Sequence, residues 1–387
     1  MDPTEIFLSA PPGLEPLLLD EVRALGFEAP CCVPGGVTVR GGWPEVWRAN
    51  LCLRGAARVI VQIGAFRAMH MAQLDKRARK FPWAEVIAPG TPVRVEATCR
   101  KSRIYHDRAA RQRIHDALAA SGCIVQAAPD RDPDRDDNRD PDRDGDTAGF
   151  VRVIVRIEDD LVRIGLDTSG APLHRRGHKQ AVGKAPMRET LASLFLRACG
   201  YDGHEPVVDP MCGSGTFVLE AAEIAAGLWP GRSRRFAFED LVGFDAARWD
   251  EMRSQTIRAP SVAPVFYGSD RDDGAIRGAR ANALRAGLDT LCRFERHAVS
   301  DLQRPDGAPG LVIVNPPYGA RIGNRKLLFA LYGALGGVLT ERFGGWRVGL
   351  VTSDPGLAKA AALPFQPQPI AVSHGGLTVR LYRTGRL

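Results

Sequence analysis

The sequence predicts an α/β protein whose larger, C-terminal part is a mostly parallel sheet. From about residue 183 onward, short apolar strands alternate with helical segments, which is the pattern of a parallel sheet with helices on both faces. The predicted strands are 206–208, 265–268, 293–297, 311–314 and 347–352. Two further strands, 370–372 and 377–382, flank Gly375-Gly376 and predict a terminal antiparallel hairpin.

The N-terminal part predicts two smaller α+β domains. Strands at 6–8, 37–39 and 57–63 alternate with helices at 14–25 and 43–51, which indicates a first domain over 1–64. A second domain over 65–167 combines helices 71–80 and 107–120 with strands 93–98, 151–157 and 161–166. The parallel sheet then forms a third domain over 168–387.

Residues 129–146 interrupt the second domain with a repeat of aspartate, arginine and proline. The segment contains nine Asp and four Arg and lacks apolar side chains. A segment of this composition cannot bury a core, so we expect a disordered surface loop. It matches no EF-hand pattern, and we predict no metal site in the protein.

Composition excludes several classes of protein. No run of 18 apolar residues occurs, which argues against a membrane helix, and the N-terminus lacks the basic and apolar regions of a secretory signal. The eight cysteines are scattered, with no Cys-x-x-Cys pair, which argues against a disulfide framework or a zinc site. We therefore expect a cytoplasmic protein without a membrane partner, and a monomer, although the sequence leaves the oligomeric state open.

Charge favours an anionic partner. The chain has a net charge of +7, but residues 129–146 contribute −5, so the remainder carries +12. The strongest basic concentration is 67–113, with twelve Lys or Arg against four Asp or Glu. Such a stretch is typical of a nucleic-acid-binding surface, and equally of a solvated arginine-rich surface.

A glycine-rich turn follows the first strand of the parallel sheet. The string Asp209-Pro-Met211-Cys212-Gly213-Ser-Gly215-Thr216 lies between that strand and an apolar helix. Glycines at the end of a strand let the backbone approach a ligand closely. The alternative is a structural turn, with Asp209 as a helix cap.

S-adenosylmethionine fits this turn better than a nucleotide does. A P-loop requires a lysine that is missing, and a dinucleotide fingerprint requires a small residue where Val218 stands. Asp209 is suited to bind the charged methionine portion. Asp270, at the end of the next strand, is suited to accept hydrogen bonds from the two ribose hydroxyls. Asp301 is a candidate for the adenine amino group, or else a surface turn residue.

The string Asn315-Pro316-Pro317-Tyr318 follows a buried parallel strand, where open α/β sheets place their active sites. The amino group of a base is a poor nucleophile, because its lone pair is delocalised into the ring. The Asn315 side-chain oxygen and the Pro316 carbonyl can accept hydrogen bonds from that amino group and orient it. Pro317 stiffens the backbone, and Tyr318 offers a flat face for an extruded base. The alternative is a proline-rich packing turn.

These motifs resemble those of class I, Rossmann-like methyltransferases of the amino-methylating branch. The whole chain resembles the bacterial THUMP-domain RNA methyltransferases, in particular those that make N2-methylguanosine in 23S ribosomal RNA. Further strings carry the resemblance outside the two motifs, and they are Gly13–Leu18, Arg48–Leu51 with Leu53-Arg54, Lys101–His106, His174–Gly177 and Ala185–Thr190.

The resemblance implies a ferredoxin-like domain over 1–64, a THUMP RNA-binding domain over 65–167 and a methyltransferase domain over 168–387. It implies RNA as partner, with ribosomal RNA favoured and transfer RNA left open, and N2 of guanosine as the methylated atom. A DNA adenine-N6 methyltransferase and a non-catalytic RNA-binding assembly factor remain alternatives. The resemblance also implies roles for individual residues. Cofactor binding is implied for Asp209, Met211, Cys212, Gly213, Gly215, Thr216, Asp270, Asp301 and Glu189. Binding of the reacting amino group is implied for Asn315, Pro316, Pro317 and Tyr318, and RNA contacts are implied for Arg100, Lys101, Arg103 and Tyr105.

Overall fold

The computed structural model describes residues 5–126, 149–180, 187–255, 265–318, 325–374 and 377–387. The chain forms two compact units. The first unit comprises the described residues of Met1–Ala10, Leu18–Leu173 and Arg234–Gln255, and the second comprises those of Pro11–Leu17, His174–Ser233 and Thr256–Leu387. Among the helices of these described ranges, none has both the length and the apolar character needed to cross a bilayer.

An eight-stranded sheet forms the centre of the first unit. Its strands are β1 (Ile6–Ser9), β2 (Glu28–Val33), β3 (Gly36–Arg40), β4 (Arg58–Arg67), β5 (Pro92–Arg100), β6 (Ile124–Gln126), β7 (Val151–Glu158) and β8 (Leu161–Asp167). Across the sheet their order is β2-β3-β1-β4-β8-β7-β5-β6. The first four helices are α1 (Glu15–Ala24), α2 (Trp43–Cys52), α3 (Met71–Arg79) and α4 (Asp107–Ala120). The two domains predicted over 1–64 and 65–167 thus contribute strands to one sheet, and the boundary between them stays a prediction.

Alternating side chains give this sheet two different faces. On β7, Val151, Val153, Val155 and Ile157 are buried, and the residues between them are half-buried or exposed. Helix α4 packs against β5 and β6, and α2 packs against β4. The buried side chains therefore lie on the face that the helices cover. We call the other face, which carries the half-buried and exposed side chains, the open face.

The second unit contains a seven-stranded sheet. Its strands are β9 (Val207–Asp209), β10 (Phe266–Asp270), β11 (Cys292–Arg296), β12 (Leu311–Val314), β13 (Arg347–Thr352), β14 (Ile370–His374) and β15 (Leu377–Arg386). The order is β11-β10-β9-β12-β13-β15-β14. The remaining helices are α5 (Glu189–Ala198), α6 (Thr216–Ala225), α7 (Ala246–Ser254, in the first unit), α8 (Asp273–Ala286), α9 (Arg325–Arg342) and α10 (Pro355–Ala360).

The pairing in this second sheet confirms the predicted mixed architecture. Strands β9 to β13 pair in parallel, whereas β15 runs antiparallel to both β13 and β14. Strand β12 is buried along its whole length, and its side chains Val312 and Val314 share a core with Tyr332 of α9 and with Trp346. This core fixes the carboxyl end of β12, where the Asn-Pro-Pro-Tyr string begins.

The segment Arg234–Gln255 belongs to the first unit, although it lies between two stretches of the second in sequence. Its aromatic side chains Phe238 and Phe244 pack on Trp47 of α2, with ring centroids 6.1 and 5.6 Å away. The Arg234 guanidinium donates to the carbonyls of Ser169, Ala171 and Pro172. No local pattern in the sequence indicated this attachment, because it depends on contacts between distant residues.

Two strands of the first sheet were not predicted. Strand β2 has exposed or half-buried side chains on both faces, so it shows no alternation, and Ala29 within it has a φ of +48°. Strand β6 has only three residues. Both lie at the edges of the sheet, where one flank of each strand pairs with no other described strand. The Asp/Arg repeat at 129–146 and the Gly375-Gly376 turn lie outside the described residues.

Candidate functional site

The glycine-rich turn connects β9 to α6 as predicted. The amide of Cys212 donates to the Ser269 carbonyl at 2.9 Å, and the amide of Gly215 donates to the Cys212 carbonyl at 2.8 Å. The first bond ties the turn to β10, the neighbouring strand. Cys212 is buried, and burial raises the pKa of its thiol well above the ordinary value, so the side chain is a packing group and not a nucleophile.

Both glycines of the turn adopt left-handed backbone conformations. Gly213 has a φ of +53° and Gly215 a φ of +87°. A Cβ on Gly215 would lie 3.2 Å from the Phe294 ring and 3.3 Å from the Ala279 side chain, whereas a Cβ on Gly213 would meet no atom within 4 Å. The left-handed backbone and the close Phe294 ring together favour glycine at 215, and the backbone at 213 faces open space that a ligand can approach.

Asp270 joins the end of β10 to this turn. One of its carboxylate oxygens accepts from the Gly213 amide at 3.0 Å, and the other accepts from the Asp272 amide at 2.9 Å. A carboxylate has about four acceptor positions, so these two bonds leave acceptor capacity on both oxygens. The geometry fits the predicted role, in which Asp270 accepts hydrogen bonds from two ribose hydroxyls.

Asp209 lies at the end of β9 and is 3% exposed. Its side chain accepts from the Met211 amide at 3.1 Å. Burial, helped by the nearby charge of Asp270 and opposed by the Met211 hydrogen bond, raises the pKa of this carboxyl group to about 8. A cationic group placed beside Asp209 would reverse this shift, because the carboxylate form would then gain a partner.

The remaining predicted cofactor residues differ in their surroundings. Met211 is half-buried against the core at β12 and α9, and Thr216 is the first residue of α6. Asp301 is exposed in a short 3-10 turn and lines a cavity of about 130 Å³ together with Tyr267, Ser269 and His297. The position of Asp301 does not test its predicted contact with the adenine amino group, so that contact stays a prediction.

Glu189 is engaged by a lysine that the sequence did not single out. The Lys179 ammonium lies 2.8 Å from a Glu189 carboxylate oxygen and donates to the Thr216 hydroxyl at 2.7 Å. The side chains of Lys179 and Glu189 are 6% and 9% exposed. Lys179 thus links the start of α5 to the start of α6 beneath the glycine turn, and Glu189 can act on the turn through it.

Asn282 is a second residue that the sequence did not single out. This α8 side chain is fully buried, donates to the Ser214 carbonyl at 3.1 Å and accepts from the Gln180 amide at 3.2 Å. It therefore fixes the turn from the side of α8. An asparagine within a helix carries no sequence signal for such a role, because its partners are distant in the chain.

Asn315 follows β12 directly, and β12 pairs in parallel with β9 through Val312 and Val208. The carboxyl ends of the two strands, and with them Asn315 and Asp209, therefore lie at the same edge of the sheet. The Asn315 side-chain oxygen is buried and has no hydrogen-bond partner among the described residues. Buried acceptors are nearly always paired in proteins, so this oxygen is suited to a donor that a substrate supplies.

The rest of the Asn-Pro-Pro-Tyr string is held by α9. Pro316 is buried, and the Pro317 carbonyl accepts from the Tyr332 hydroxyl at 3.4 Å. Tyr318 packs against the core at β12 and α9, and burial raises the pKa of its hydroxyl. A neutral ring in this position is compatible with the predicted stacking role.

The four predicted RNA contacts lie in the first unit, at the end of β5 and in the loop that follows. Tyr105 is 71% exposed, and Lys101 has a φ of +46°. The Arg103 amide donates to the Asp160 carboxylate at 2.9 Å, which holds this loop against the turn between β7 and β8. The side chains of Arg100, Lys101 and Arg103 are exposed and remain candidates for RNA contacts.

Comparison with protein families gives two matches. Residues 176–377 match the RMKL-like methyltransferase domain, and residues 5–60 match the RlmL ferredoxin-like domain. The first range contains the glycine turn, Asp270 and Asn315. The matches confirm the predicted fold class, a Rossmann-like methyltransferase domain preceded by a ferredoxin-like portion. The THUMP portion between them stays a prediction.

Similar proteins agree with these matches. The ribosomal RNA large subunit methyltransferase K/L of Syntrophotalea carbinolica is 38% identical over 92% of this chain and 50% of its own length. The protein of the same name from Chromohalobacter salexigens is 32% identical over 98% of this chain and 52% of its own length. The chain thus spans about half the length of the curated relatives it matches.

A solved structure covers nearly the whole chain. It is described as a predicted N6-adenine-specific DNA methylase from Listeria monocytogenes, and it is 28% identical to this chain. The similarity covers 99% of this chain and 96% of the other, with a TM-score of 0.82.

Proposed function

The chain belongs to the family of RMKL-like methyltransferase domains, and from this membership we propose that it methylates N2 of a guanosine in structured RNA with S-adenosylmethionine as methyl donor. Large-subunit ribosomal RNA is the proposed substrate. The observation that carries the proposal is the buried Asn315 oxygen at the end of β12, at the same sheet edge as the glycine turn, which has no hydrogen-bond partner within the described part of the chain.

The residues of the turn fit the proposed donor. Bound S-adenosylmethionine supplies an electrophilic methyl group on a sulfonium. Asp270 accepts from the ribose hydroxyls with its remaining lone pairs, and Asp209 balances the positive charge of the methionine portion. The open backbone at Gly213 lets the ligand approach closely. This donor carries no phosphate, which is consistent with a turn that has no lysine of the P-loop kind.

The Asn315 side chain accepts one hydrogen bond from the guanine amino group, and the Pro316 carbonyl accepts the other. These bonds orient the nitrogen lone pair toward the methyl group and stabilise the positive charge that develops on the nitrogen during transfer. The methylated amine is acidic and loses its extra proton late, so the step requires no strong general base. Tyr318 stacks on the extruded base.

Three observations support RNA as the substrate class. The relatives at 38% and 32% identity are named as ribosomal RNA methyltransferases. Residues 67–113 carry a local excess of eight positive charges. The Lys101–His106 string resembles the signature of THUMP RNA-binding domains. The choice of guanine N2 rests on the resemblance to the family that makes N2-methylguanosine.

A second candidate is N6 of adenine in DNA. The description of the Listeria monocytogenes neighbour favours it, and the Asn315 site fits any amino group on a planar base. The basic stretch 67–113 and the names of the curated relatives favour RNA instead.

The test is methylation of large-subunit ribosomal RNA, transfer RNA and duplex DNA with labelled S-adenosylmethionine, followed by digestion and identification of the modified nucleoside. We expect N2-methylguanosine in ribosomal RNA. Labelling confined to transfer RNA would overturn the choice of ribosomal RNA, and N6-methyladenine in DNA would establish the second candidate. Binding of S-adenosylmethionine without labelling of any of the three would contradict both.

A further inference from the structure

Two arginines face each other on adjacent strands of the first sheet. Arg156 of β7 and Arg163 of β8 are directly opposed in the antiparallel register. Directly opposed residues project from the same face, and both side chains are exposed. Arg156 alternates with the buried Val155 and Ile157, so the pair lies on the open face.

Neither arginine has an acidic partner among the described residues. The Arg163 side chain makes no described hydrogen bond or ion pair, and the Arg156 guanidinium lies 5.4 Å from the Phe7 ring centroid. Other arginines of the same face are engaged, since Arg152 pairs with Glu96 at 3.3 Å and Arg94 stacks on Phe150 at 3.9 Å. Among the described residues, the opposed pair is therefore a cationic site without a compensating carboxylate.

The strand register extends this site by one row. In this row, Arg100 of β5 is aligned with Glu158 of β7. Glu158 is aligned with Leu161 of β8, and Leu161 is aligned with Arg67 of β4. These residues project from the same face as Arg156 and Arg163. We call Arg67, Arg100, Arg156 and Arg163 the arginine face. With Glu158 among them, the five side chains carry a net charge of +3.

From this arrangement we propose that the arginine face binds the phosphate backbone of the RNA substrate. Opposed like charges on a sheet are unfavourable in the free protein. A bound phosphate between them would remove the repulsion and accept from both guanidinium groups. The proposal rests on the proposed function, and it extends the RNA contact from the predicted loop onto the surface of the sheet.

Continuity with that loop favours RNA over an acidic protein. Arg100 ends β5, and the next residues, Lys101 to Tyr105, form the loop that carries the other predicted contacts. The Ser102 hydroxyl accepts from the Asp160 amide at 2.9 Å, which joins the loop to the β7–β8 turn. Guanidinium groups on a sheet and an exposed aromatic ring beside them suit phosphates and an unstacked base, respectively.

The test compares two double variants of the full chain that remove the same charge. R156A/R163A alters the arginine face. R23A/R40A removes two exposed arginines of the first unit that also lack described ion pairs. Dissociation constants for a transcribed fragment of large-subunit ribosomal RNA are measured across a series of salt concentrations. Binding of S-adenosylmethionine and the melting temperature are measured alongside.

We expect R156A/R163A to bind RNA roughly tenfold more weakly at about 0.1 M salt, with the log–log salt slope reduced by about 1.5, because two phosphate contacts are lost. R23A/R40A should match the wild type. Both variants should bind S-adenosylmethionine normally, and R156A/R163A should melt no lower than the wild type, because the opposed charges are gone.

Two results would overturn the proposal. One is that R156A/R163A and R23A/R40A show the same RNA affinity and salt slope. The other is that R156A/R163A loses binding to a polyglutamate peptide but keeps its affinity for RNA. Failure of the proposed function gives a different result. In that case the wild-type protein does not methylate the RNA fragment, whether or not it binds it.

Discussion

The Asp270 carboxylate accepts a hydrogen bond from the Gly213 amide at 3.0 Å, across 57 positions of the sequence. This bond joins the end of one parallel strand to the turn after its neighbour. Asp270 is suited to bind the ribose hydroxyls of S-adenosylmethionine. It therefore also fixes the conformation of the turn that is proposed to bind the rest of this ligand.

Asp270→Asn should weaken both the fold and the binding of S-adenosylmethionine. The carboxylate accepts from two backbone amides, through different oxygens. An asparagine offers one oxygen, so one of these amides would face an NH2 group. We expect the free energy of unfolding to fall by about 1–3 kcal/mol and the affinity for the donor to fall roughly tenfold or more.

The control for this variant is Asp272→Asn, two residues further on. The Asp272 side chain caps α8 by accepting from the Gly274 amide, which asparagine also does well. Denaturant unfolding and calorimetric binding should therefore leave Asp272→Asn close to the wild type. Equal donor affinities for Asp270→Asn and the wild type would remove Asp270 from the ribose site.

Asp209 should couple donor binding to proton release. Its carboxyl pKa is raised from 3.8 to about 8 by burial, so the free protein holds this proton at neutral pH. A cationic ligand favours the carboxylate, and binding should therefore tighten as pH rises toward about 8. Calorimetry in buffers of different ionisation enthalpy should detect a released proton, and Asp209→Asn should abolish it.

The same shift predicts the pH dependence of stability. A carboxyl group with a raised folded-state pKa binds more protons in the folded protein than in the unfolded one between pH 3.8 and about 8. Over that range, the stability of the wild type should fall relative to Asp209→Asn as pH rises. If the unfolding free energies of the two proteins change with pH by the same amount, the Asp209 pKa is not raised.

Lys179→Met should destabilise the second unit through its buried partner. The substitution leaves the Glu189 carboxylate and the Thr216 hydroxyl without the ammonium that joins them. Breaking a buried ion pair from one side costs about 3–5 kcal/mol, whereas replacing both charges by apolar groups costs less. K179M/E189M should therefore be more stable than Lys179→Met alone in denaturant unfolding.

Lys76→Met is the matched surface control, because Lys76 is exposed on α3 and makes no described ion pair. Its unfolding free energy should stay within about 0.5 kcal/mol of the wild type. If Lys179→Met behaves like Lys76→Met, the contact beneath the glycine turn contributes nothing to stability.

Local strings in the sequence predicted the fold and the positions of the two main motifs. The glycine turn and the Asn-Pro-Pro-Tyr string each follow a buried apolar strand, and that pattern is visible within about ten residues. Lys179 and Asn282 were missed because the residues of the turn region that they bind, Thr216 and Ser214, lie 37 and 68 positions away. The opposed Arg156 and Arg163 required the strand register, which alternation alone does not provide.

The most direct test of the account is a single-turnover measurement of methyl transfer by Asn315→Ala, combined with its affinity for S-adenosylmethionine. The Asn315 oxygen has no described partner, so its removal should leave stability and donor affinity essentially unchanged. Because the substitution removes an acceptor that stabilises the transition state, the rate should fall roughly 100-fold to 1,000-fold. A wild-type rate, or an equal loss of donor affinity, would contradict the assignment of Asn315 to the reacting amino group.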